Sequence, residues 1–179
     1  MLTMSDVCRF MDMQKQILIC ACLMSLLVAC AGSGDQEVIE PPKVIKWDGL
    51  EAVMTKDSDQ LQVINFWATW CAPCIKELPY FEALNAEAGD QLDVTLVSLD
   101  FADEFEKRVL PFVDKRGLKS QVLLVDDIDY NSWIEKVDPS WSGAIPATLI
   151  INPSNGKRKF LEKELNEGEL ETLVQEMLN

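Results

Sequence analysis

Hydrophobic and polar positions follow two different periods along this chain. Continuous apolar runs of strand length alternate with segments in which apolar residues recur every three or four positions. The first pattern indicates strands that are buried on both faces, and the second indicates helices with one buried face. The apolar runs are "LQVINFWA" from Leu61, "LDVTLVSLDF" from Leu92 and "QVLLV" from Gln121.

The clearest helix is predicted between the first two of these strands, over residues 72–88. Leu78, Phe81 and Leu84 recur at a spacing of three, and Gly89 is the residue that should end the helix.

Further strands and helices complete an alternating order. Strands that alternate with helices predict an α/β fold in which helices lie on both faces of a central sheet. A hairpin near the end of the chain makes that sheet mixed. The remaining predicted elements are a short strand from Val44 to Trp47, a helix capped by Asp48 and running through Met54, a helix over residues 103–116 interrupted at Pro111, a helix over residues 129–137 capped by Asp129 or Asn131, a hairpin of "ATLIIN" and "KRKFLE", and a helix over residues 167–178.

The first thirty residues have a different character. Lys15 precedes the uncharged run "ILICACLMSLLVA", which ends at Ala29 and is short for a membrane-spanning helix. Such a run is typical of a signal-peptide core, and the biological start is then Met13 or Met11. The alternative is a buried helix, which would need partners on every side.

The end of this run sharpens the prediction. "LVAC", which ends at Cys30, resembles the bacterial lipobox, in which the cysteine is acylated and becomes the first mature residue. The resemblance implies a lipoprotein-type signal peptide over residues 1–29 and lipidation of Cys30. Small, polar and proline-rich residues follow, so residues 30–43 are predicted to be a flexible tether and residues 44–179 the folded domain. A partly ordered arm is the alternative for the tether.

Charge and composition exclude several function classes. The 179 residues carry 16 Lys and Arg against 30 Asp and Glu, a net charge of −14, which disfavours nucleic acid as a partner. Histidine is absent, which removes the usual general base and any zinc site that needs imidazole. The chemistry must therefore come from Cys, Asp or Glu.

Two cysteines stand between the first buried strand and the 72–88 helix, in "NFWATWCAPCIKELP". Cys71 falls at the first turn of the helix, where unpaired N–H groups and the helix dipole favour a thiolate, so we predict a lowered pKa and a nucleophile. Cys74 lies one turn deeper on the same face, in the position of a resolving thiol. Pro73 fits a first helical turn. A zinc site or an inert structural disulfide are the alternatives.

The segment "FWATWCAPC" with "IKELP", together with "GAIPATLIINPSNG", resembles thioredoxin-fold proteins of the TlpA/ResA type, which are exported thiol-disulfide oxidoreductases. The resemblance implies a thioredoxin-like fold with a central helix–strand insertion between Phe101 and Val125. It also implies a redox disulfide between Cys71 and Cys74, and a cis Ile145–Pro146 peptide.

The resemblance assigns roles to further residues. It implies that the backbone of Ile145 docks an extended substrate next to Pro146, with Trp70 and Pro73 at the rim of the site. Glu77 stands where the family has a functional Glu, and we predict that it takes the Cys74 proton. A surface charge is the alternative for Glu77. Among the other aromatic residues, Trp67 is assigned to the core, whereas Trp141 and Tyr130 either line a groove near Pro146 or pack in the core.

The function implied is an exported, membrane-anchored protein disulfide reductase that faces the periplasm or the cell exterior. The resemblance suggests cytochrome c maturation as one pathway, a disulfide-containing protein as substrate, and a membrane thiol donor of the DsbD/CcdA type. We expect a monomer with no metal and no cofactor. The alternatives are a disulfide oxidase or isomerase, a non-catalytic peptide-binding module and, less favoured, a thiol peroxidase.

Overall fold

The sheet of the computed structural model, which describes residues 40–179, contains six strands in the order β1-β4-β3-β2-β5-β6. The first four strands in this order are mutually parallel, whereas β5 runs antiparallel to β2 and β6 antiparallel to β5. The predicted mixed sheet is therefore confirmed. The strands are β1 Lys43–Ile45, β2 Leu61–Trp67, β3 Leu92–Ser98, β4 Gln121–Val125, β5 Ala147–Asn152 and β6 Lys157–Leu161.

Within residues 40–179, five α-helices connect and cover these strands. The predicted helix over residues 72–88 is confirmed at both ends, and Gly89 at its C-terminus has a φ of 51°, which glycine adopts readily. The helices are α1 Trp47–Met54, α2 Ala72–Ala88, α3 Leu110–Arg116, α4 Tyr130–Val137 and α5 Glu169–Leu178.

Apolar side chains form one core on each face of the sheet, because successive side chains of a strand point to opposite faces. Strand β2 shows this alternation: Val63 and Trp67 belong to one core, whereas Ile64 and Phe66 belong to the other. Helices α2 and α5 pack in the first core, and α1 and α4 in the second. All seven residues of β2 are buried, as expected of a central strand.

Two local predictions were wrong. Helix α1 begins two residues earlier than predicted, at Trp47, which was expected to end the first strand. Lys46 is at the N-cap position, so Asp48 lies in the first turn and does not cap the helix. The predicted helix over residues 103–116 is a 3₁₀ turn over Ala102–Glu104, a π turn over Phe105–Val109 and then α3. Pro111 lies in the first turn of α3, where its missing N–H is tolerated, so the irregular turns precede it.

Several predictions concern residues 1–39, which lie outside the part that the structure describes. They are the signal peptide over residues 1–29, the lipidation of Cys30 and most of the tether over residues 30–43. Lys43, at the end of that tether, is the first residue of β1. Across residues 40–179, every helix is too short or too polar to cross a bilayer.

The central strand β3 offers a test of the core. Leu96→Ala should lower the free energy of unfolding by about 3 kcal/mol, because the truncation leaves a cavity at a side chain that is fully buried. Leu178→Ala is the matched control at a side chain that is 41% exposed, and it should cost no more than about 0.5 kcal/mol. Urea unfolding of both variants measures the difference, and equal losses would contradict the assigned core.

Candidate active site

The two cysteines lie where strand β2 gives way to helix α2. A tight turn after Trp67 is closed by a hydrogen bond from the Cys71 N–H to the Ala68 carbonyl, 3.1 Å long. Cys71 then occupies the N-cap position of α2, and its Sγ accepts a hydrogen bond from the Cys74 N–H at 3.3 Å. The helix start therefore places Cys71 against unpaired backbone donors, as the sequence predicted.

Cys71 and Cys74 are joined by a disulfide, with their Cα atoms 5.3 Å apart. Cys71 is 5% exposed, whereas Cys74 is fully buried. Cys74 is therefore the deeper of the two cysteines, as predicted. Across the part of the chain that is described, no cluster of His, Cys, Asp or Glu could hold a metal ion. Trp70 and Pro73, on either side of Cys71, are both exposed.

The loop that faces this disulfide contains the Ile145–Pro146 peptide, which is cis as predicted. The Ile145 carbonyl oxygen lies 3.9 Å from the Cys71 Sγ. Strand β5 begins at the residue after Pro146 and runs antiparallel to β2. Because β5 is the direct neighbour of β2, the sheet itself brings the loop and the disulfide together.

Glu77 lies on α2, one turn after Cys74, and its side chain is completely buried. One carboxyl oxygen accepts a hydrogen bond from the Asn65 amide at 2.8 Å, and the other accepts one from the Leu165 N–H at 2.7 Å. This environment excludes the alternative of a surface charge. Burial raises the pKa of Glu77 to about 7, although the two hydrogen bonds favour the ionised form and partly oppose the shift.

Asn65 has a role that the sequence analysis missed. Its amide nitrogen lies within hydrogen-bonding distance of Thr148 Oγ1 and the Ala147 carbonyl as well as Glu77, and so reaches from β2 to β5. Its amide oxygen has no partner among residues 40–179. The signal was available in the sequence, because Asn65 alternates with Val63 and Trp67 on the face of β2 that α2 covers.

Asp100 is a second residue that the sequence analysis missed. Its buried carboxylate accepts hydrogen bonds from the Thr69 N–H at 2.9 Å, from the Thr69 hydroxyl at 2.6 Å and from the Ser98 hydroxyl at 2.8 Å. These bonds fix the turn before Cys71 to the end of β3. Trp70 and Phe101, each 63% exposed, lie beside this carboxylate in a cleft of about 330 Å³.

Three further aromatic residues that the sequence analysis singled out, Trp67, Trp141 and Tyr130, lie in the core or pack against it. Trp67 is fully buried, as predicted. Trp141 is 4% exposed and packs against Phe66 and Trp133, with ring centroids 4.5 and 5.8 Å apart. Of the two alternatives for Trp141, core packing is therefore correct. Tyr130 likewise packs on Trp133.

The buried state of Glu77 predicts a pH-dependent stability. Its pKa is about 7 in the folded protein against 4.5 for a free carboxyl, so the unfolded state ionises first as the pH rises. The stabilising contribution of Glu77 is thus fully present below about pH 4.5. The free energy of unfolding then falls by up to about 3 kcal/mol as the pH rises towards 7. Glu77→Gln should lack this loss.

Urea unfolding between about pH 5 and pH 8 measures the effect. The control is Glu87→Gln on the exposed side of the same helix, which should follow the wild-type profile. Parallel profiles for wild type and Glu77→Gln would contradict the buried, neutral carboxyl.

Curated relatives match parts of the chain. The thioredoxin-like protein YneN of Bacillus subtilis (strain 168) is 40% identical over 72 residues, which are 38% of this chain and 42% of that protein. The thiol-disulfide oxidoreductase ResA of a Bacillus cereus strain is 35% identical over 111 residues, 62% of this chain and 57% of that protein. The chain thus spans about half the length of these relatives, and the predicted resemblance to ResA-type proteins is confirmed.

Solved structures confirm the thioredoxin-like fold. A thioredoxin-related protein from Neisseria meningitidis serogroup B superposes with a TM-score of 0.58 at 22% identity, covering 70% of this chain and 89% of that chain. A thiol:disulfide interchange protein of the thioredoxin family from Chlorobium tepidum TLS gives a TM-score of 0.57 at 18% identity, covering 68% of this chain and 82% of that chain.

The sequence profile of the AhpC/TSA family matches residues 45–157. That segment is more than half of the chain and runs from β1 to the start of β6, with the Cys71–Cys74 disulfide and the facing cis-proline loop inside it. The protein therefore belongs to the AhpC/TSA family, within which it has a thioredoxin-like fold.

Proposed function

We propose that the protein is a thiol-disulfide oxidoreductase that reduces disulfides in protein substrates. The observation that carries the proposal is the Cys71–Cys74 disulfide at the start of α2, facing the Ile145 carbonyl. A structural disulfide needs no such facing backbone, whereas an exchange reaction needs a place for the substrate chain that carries the second sulfur. The names of the YneN and ResA relatives support the same chemistry.

Reduction begins with the dithiol form. The Cys71 thiolate attacks one sulfur of the substrate disulfide, a mixed disulfide forms, and the other substrate sulfur leaves as a thiolate. Cys71 is the attacking thiol because it is the more exposed of the two and lies at the helix N-terminus, where the dipole stabilises a thiolate.

The second step releases the substrate. The Cys74 thiol loses its proton and attacks the Cys71 sulfur, which restores the Cys71–Cys74 disulfide and frees the second substrate thiolate. Glu77 takes that proton, since it lies one turn further along the same helix and its pKa of about 7 matches a general base at neutral pH. An external dithiol then donates two electrons and two protons to the Cys71–Cys74 disulfide, which restores the dithiol form.

The substrate is docked on the loop before β5. An extended peptide pairs with the backbone of Ile145, and Pro146, which has no N–H, leaves that edge open for the substrate. Trp70 and Pro73 form the exposed rim on the other side of Cys71. This arrangement holds the substrate chain across the disulfide, where the attacking sulfur lies.

We place the reaction outside the cytoplasm. The predicted signal peptide over residues 1–29, the lipidated Cys30 and the tether over residues 30–43 would hold the domain over residues 44–179 at a membrane surface, facing the periplasm or the cell exterior. A membrane thiol donor of the DsbD/CcdA type would return the electrons, and cytochrome c maturation is the pathway to examine first. We propose that the domain acts as a monomer without a cofactor.

Single cysteine replacements test the two thiol roles. Cys74→Ser lacks the resolving thiol, so the mixed disulfide on Cys71 should accumulate after the reduced variant meets a peptide disulfide. Within residues 40–179, Cys71→Ser keeps only the Cys74 thiol, which is fully buried in the folded protein, so Cys74 should form no adduct on the same timescale. Mass spectrometry without reductant counts the adducts. Adducts on Cys71→Ser alone, or on neither variant, would contradict the proposal.

A further inference from the structure

A partly buried carboxylate holds the loop that precedes the cis proline. Glu162 follows directly after β6, and its carboxylate accepts hydrogen bonds from the Ser142 N–H at 3.2 Å and the Ala144 N–H at 2.9 Å. The Ser142 hydroxyl donates a third hydrogen bond to the same carboxylate. The two backbone N–H groups form a small concavity for an anion, and Glu162 fills it.

The loop is held from the opposite side as well. The indole N–H of the buried Trp141 donates a hydrogen bond of 2.8 Å to the Ala144 carbonyl. Both backbone groups of Ala144 are therefore bound by side chains. Between Ser142 and Ala144, Gly143 has a φ of 93°, a conformation that other residues avoid, so the path of the loop is narrowly defined.

These contacts fix the loop directly before Ile145, whose backbone groups can pair with a substrate. Within residues 40–179, the Ile145 N–H makes no hydrogen bond, and the Ile145 carbonyl lies 3.9 Å from the Cys71 Sγ. Because Ala144 is fixed on both sides, Ile145 cannot turn its backbone away without breaking hydrogen bonds. A docking strand that is fixed before binding loses less conformational entropy when the substrate arrives.

Glu162 also begins a short segment that contacts the helix of the disulfide. Two residues later, Glu164 forms an ion pair with Lys76, and Leu165 donates its N–H to the buried Glu77. The same segment thus contacts both the docking loop and α2.

The Glu162 carboxylate is ionised at neutral pH. Although partial burial opposes ionisation, the hydrogen bonds from Ser142 and Ala144 hold the pKa of Glu162 below its usual value.

We propose that Glu162 is a positioning residue, whose carboxylate fixes the loop over residues 142–145 so that the Ile145 backbone can pair with an extended peptide substrate. The inference rests on the proposed disulfide exchange and adds a specificity to it. Glu162 serves substrates that dock through a peptide backbone, and it contributes nothing to small disulfides that have no such backbone.

The test compares two substrates. One is a disulfide within an extended peptide, and the other is 5,5′-dithiobis(2-nitrobenzoate), a small disulfide without a peptide backbone. The electrons come from the Cys71–Cys74 dithiol, which is reduced beforehand and freed of excess dithiothreitol, so that one turnover is followed. Glu162→Ala should raise the peptide concentration that gives half the limiting rate, its KM, about tenfold, leave the limiting rate within about twofold, and leave the rate with the small disulfide within about twofold. Glu162→Gln keeps one accepting oxygen, so its KM should fall between wild type and Glu162→Ala.

The control is Glu176→Ala, which removes the ion pair between Glu176 and Lys159 of β6 and lies away from the loop. It should match wild type with both substrates. The thermal unfolding midpoint of each variant shows whether it is folded, and Glu162→Gln serves as the test variant if Glu162→Ala is not folded.

Failure of the positioning role and failure of the proposed function give different results. An equal slowing with both substrates, or no change with either, in folded Glu162 variants would overturn the positioning role while leaving disulfide exchange intact. A wild-type protein that reduces neither substrate would instead overturn the proposed function itself. A rise in KM that is confined to the peptide supports both.

Discussion

The burial of the Glu77 carboxyl, one helical turn after Cys74, is the constraint on which the rest of the site depends. A buried carboxyl is costly unless it is hydrogen-bonded, and here one partner is the Asn65 amide of β2 and the other is the Leu165 N–H before α5. The carboxyl therefore joins the central strand, the helix of the disulfide and the segment after β6. The same burial raises its pKa to about 7, which suits it to exchange a proton near neutral pH.

Two more carboxylates organise the segments around Cys71 in the same manner. Asp100 binds the turn through Thr69, and Glu162 binds the loop before the cis proline through Ser142 and Ala144. Each carboxylate accepts backbone N–H groups that the sheet and helices cannot satisfy, which explains how a chain without histidine builds an ordered polar site. Acidic residues are abundant in this protein, and three of them hold the loops on which the proposed chemistry depends.

Much of the fold could be predicted from the sequence because its signals are local. The apolar run of β2 and the spacing of Leu78, Phe81 and Leu84 in α2 each follow from burial of that element. The π turn over Phe105–Val109 could not be predicted, because its apolar spacing resembles that of an ordinary helix and only the position of Pro111 hinted at a break.

The functional site also contains some residues that could be predicted from the sequence and others that could not. Cys71, Cys74, Glu77 and the Ile145–Pro146 peptide stand in motifs that the sequence displays, and the structure brings them together. Asp100 and Glu162 were beyond sequence reasoning, since each acts through a residue that is distant along the chain. The alternation along β2 indicated that Asn65 is buried, but its partner Thr148 is equally distant along the chain and could not be predicted. Trp141 was a candidate for a groove near Pro146 because of its position in the sequence, but in the structure it belongs to the core.

The reduction potential of the Cys71–Cys74 pair tests the central claim most directly. The protein would be equilibrated in dithiothreitol buffers of graded ratio, and the fluorescence of Trp70, which adjoins Cys71 and is exposed, would report the fraction oxidised. A potential at or below about −250 mV, close to that of thioredoxin, is the result that a reductase predicts. A potential near about −120 mV, typical of a strong oxidant, would contradict the reductive direction and assign the same residues to disulfide formation or isomerisation.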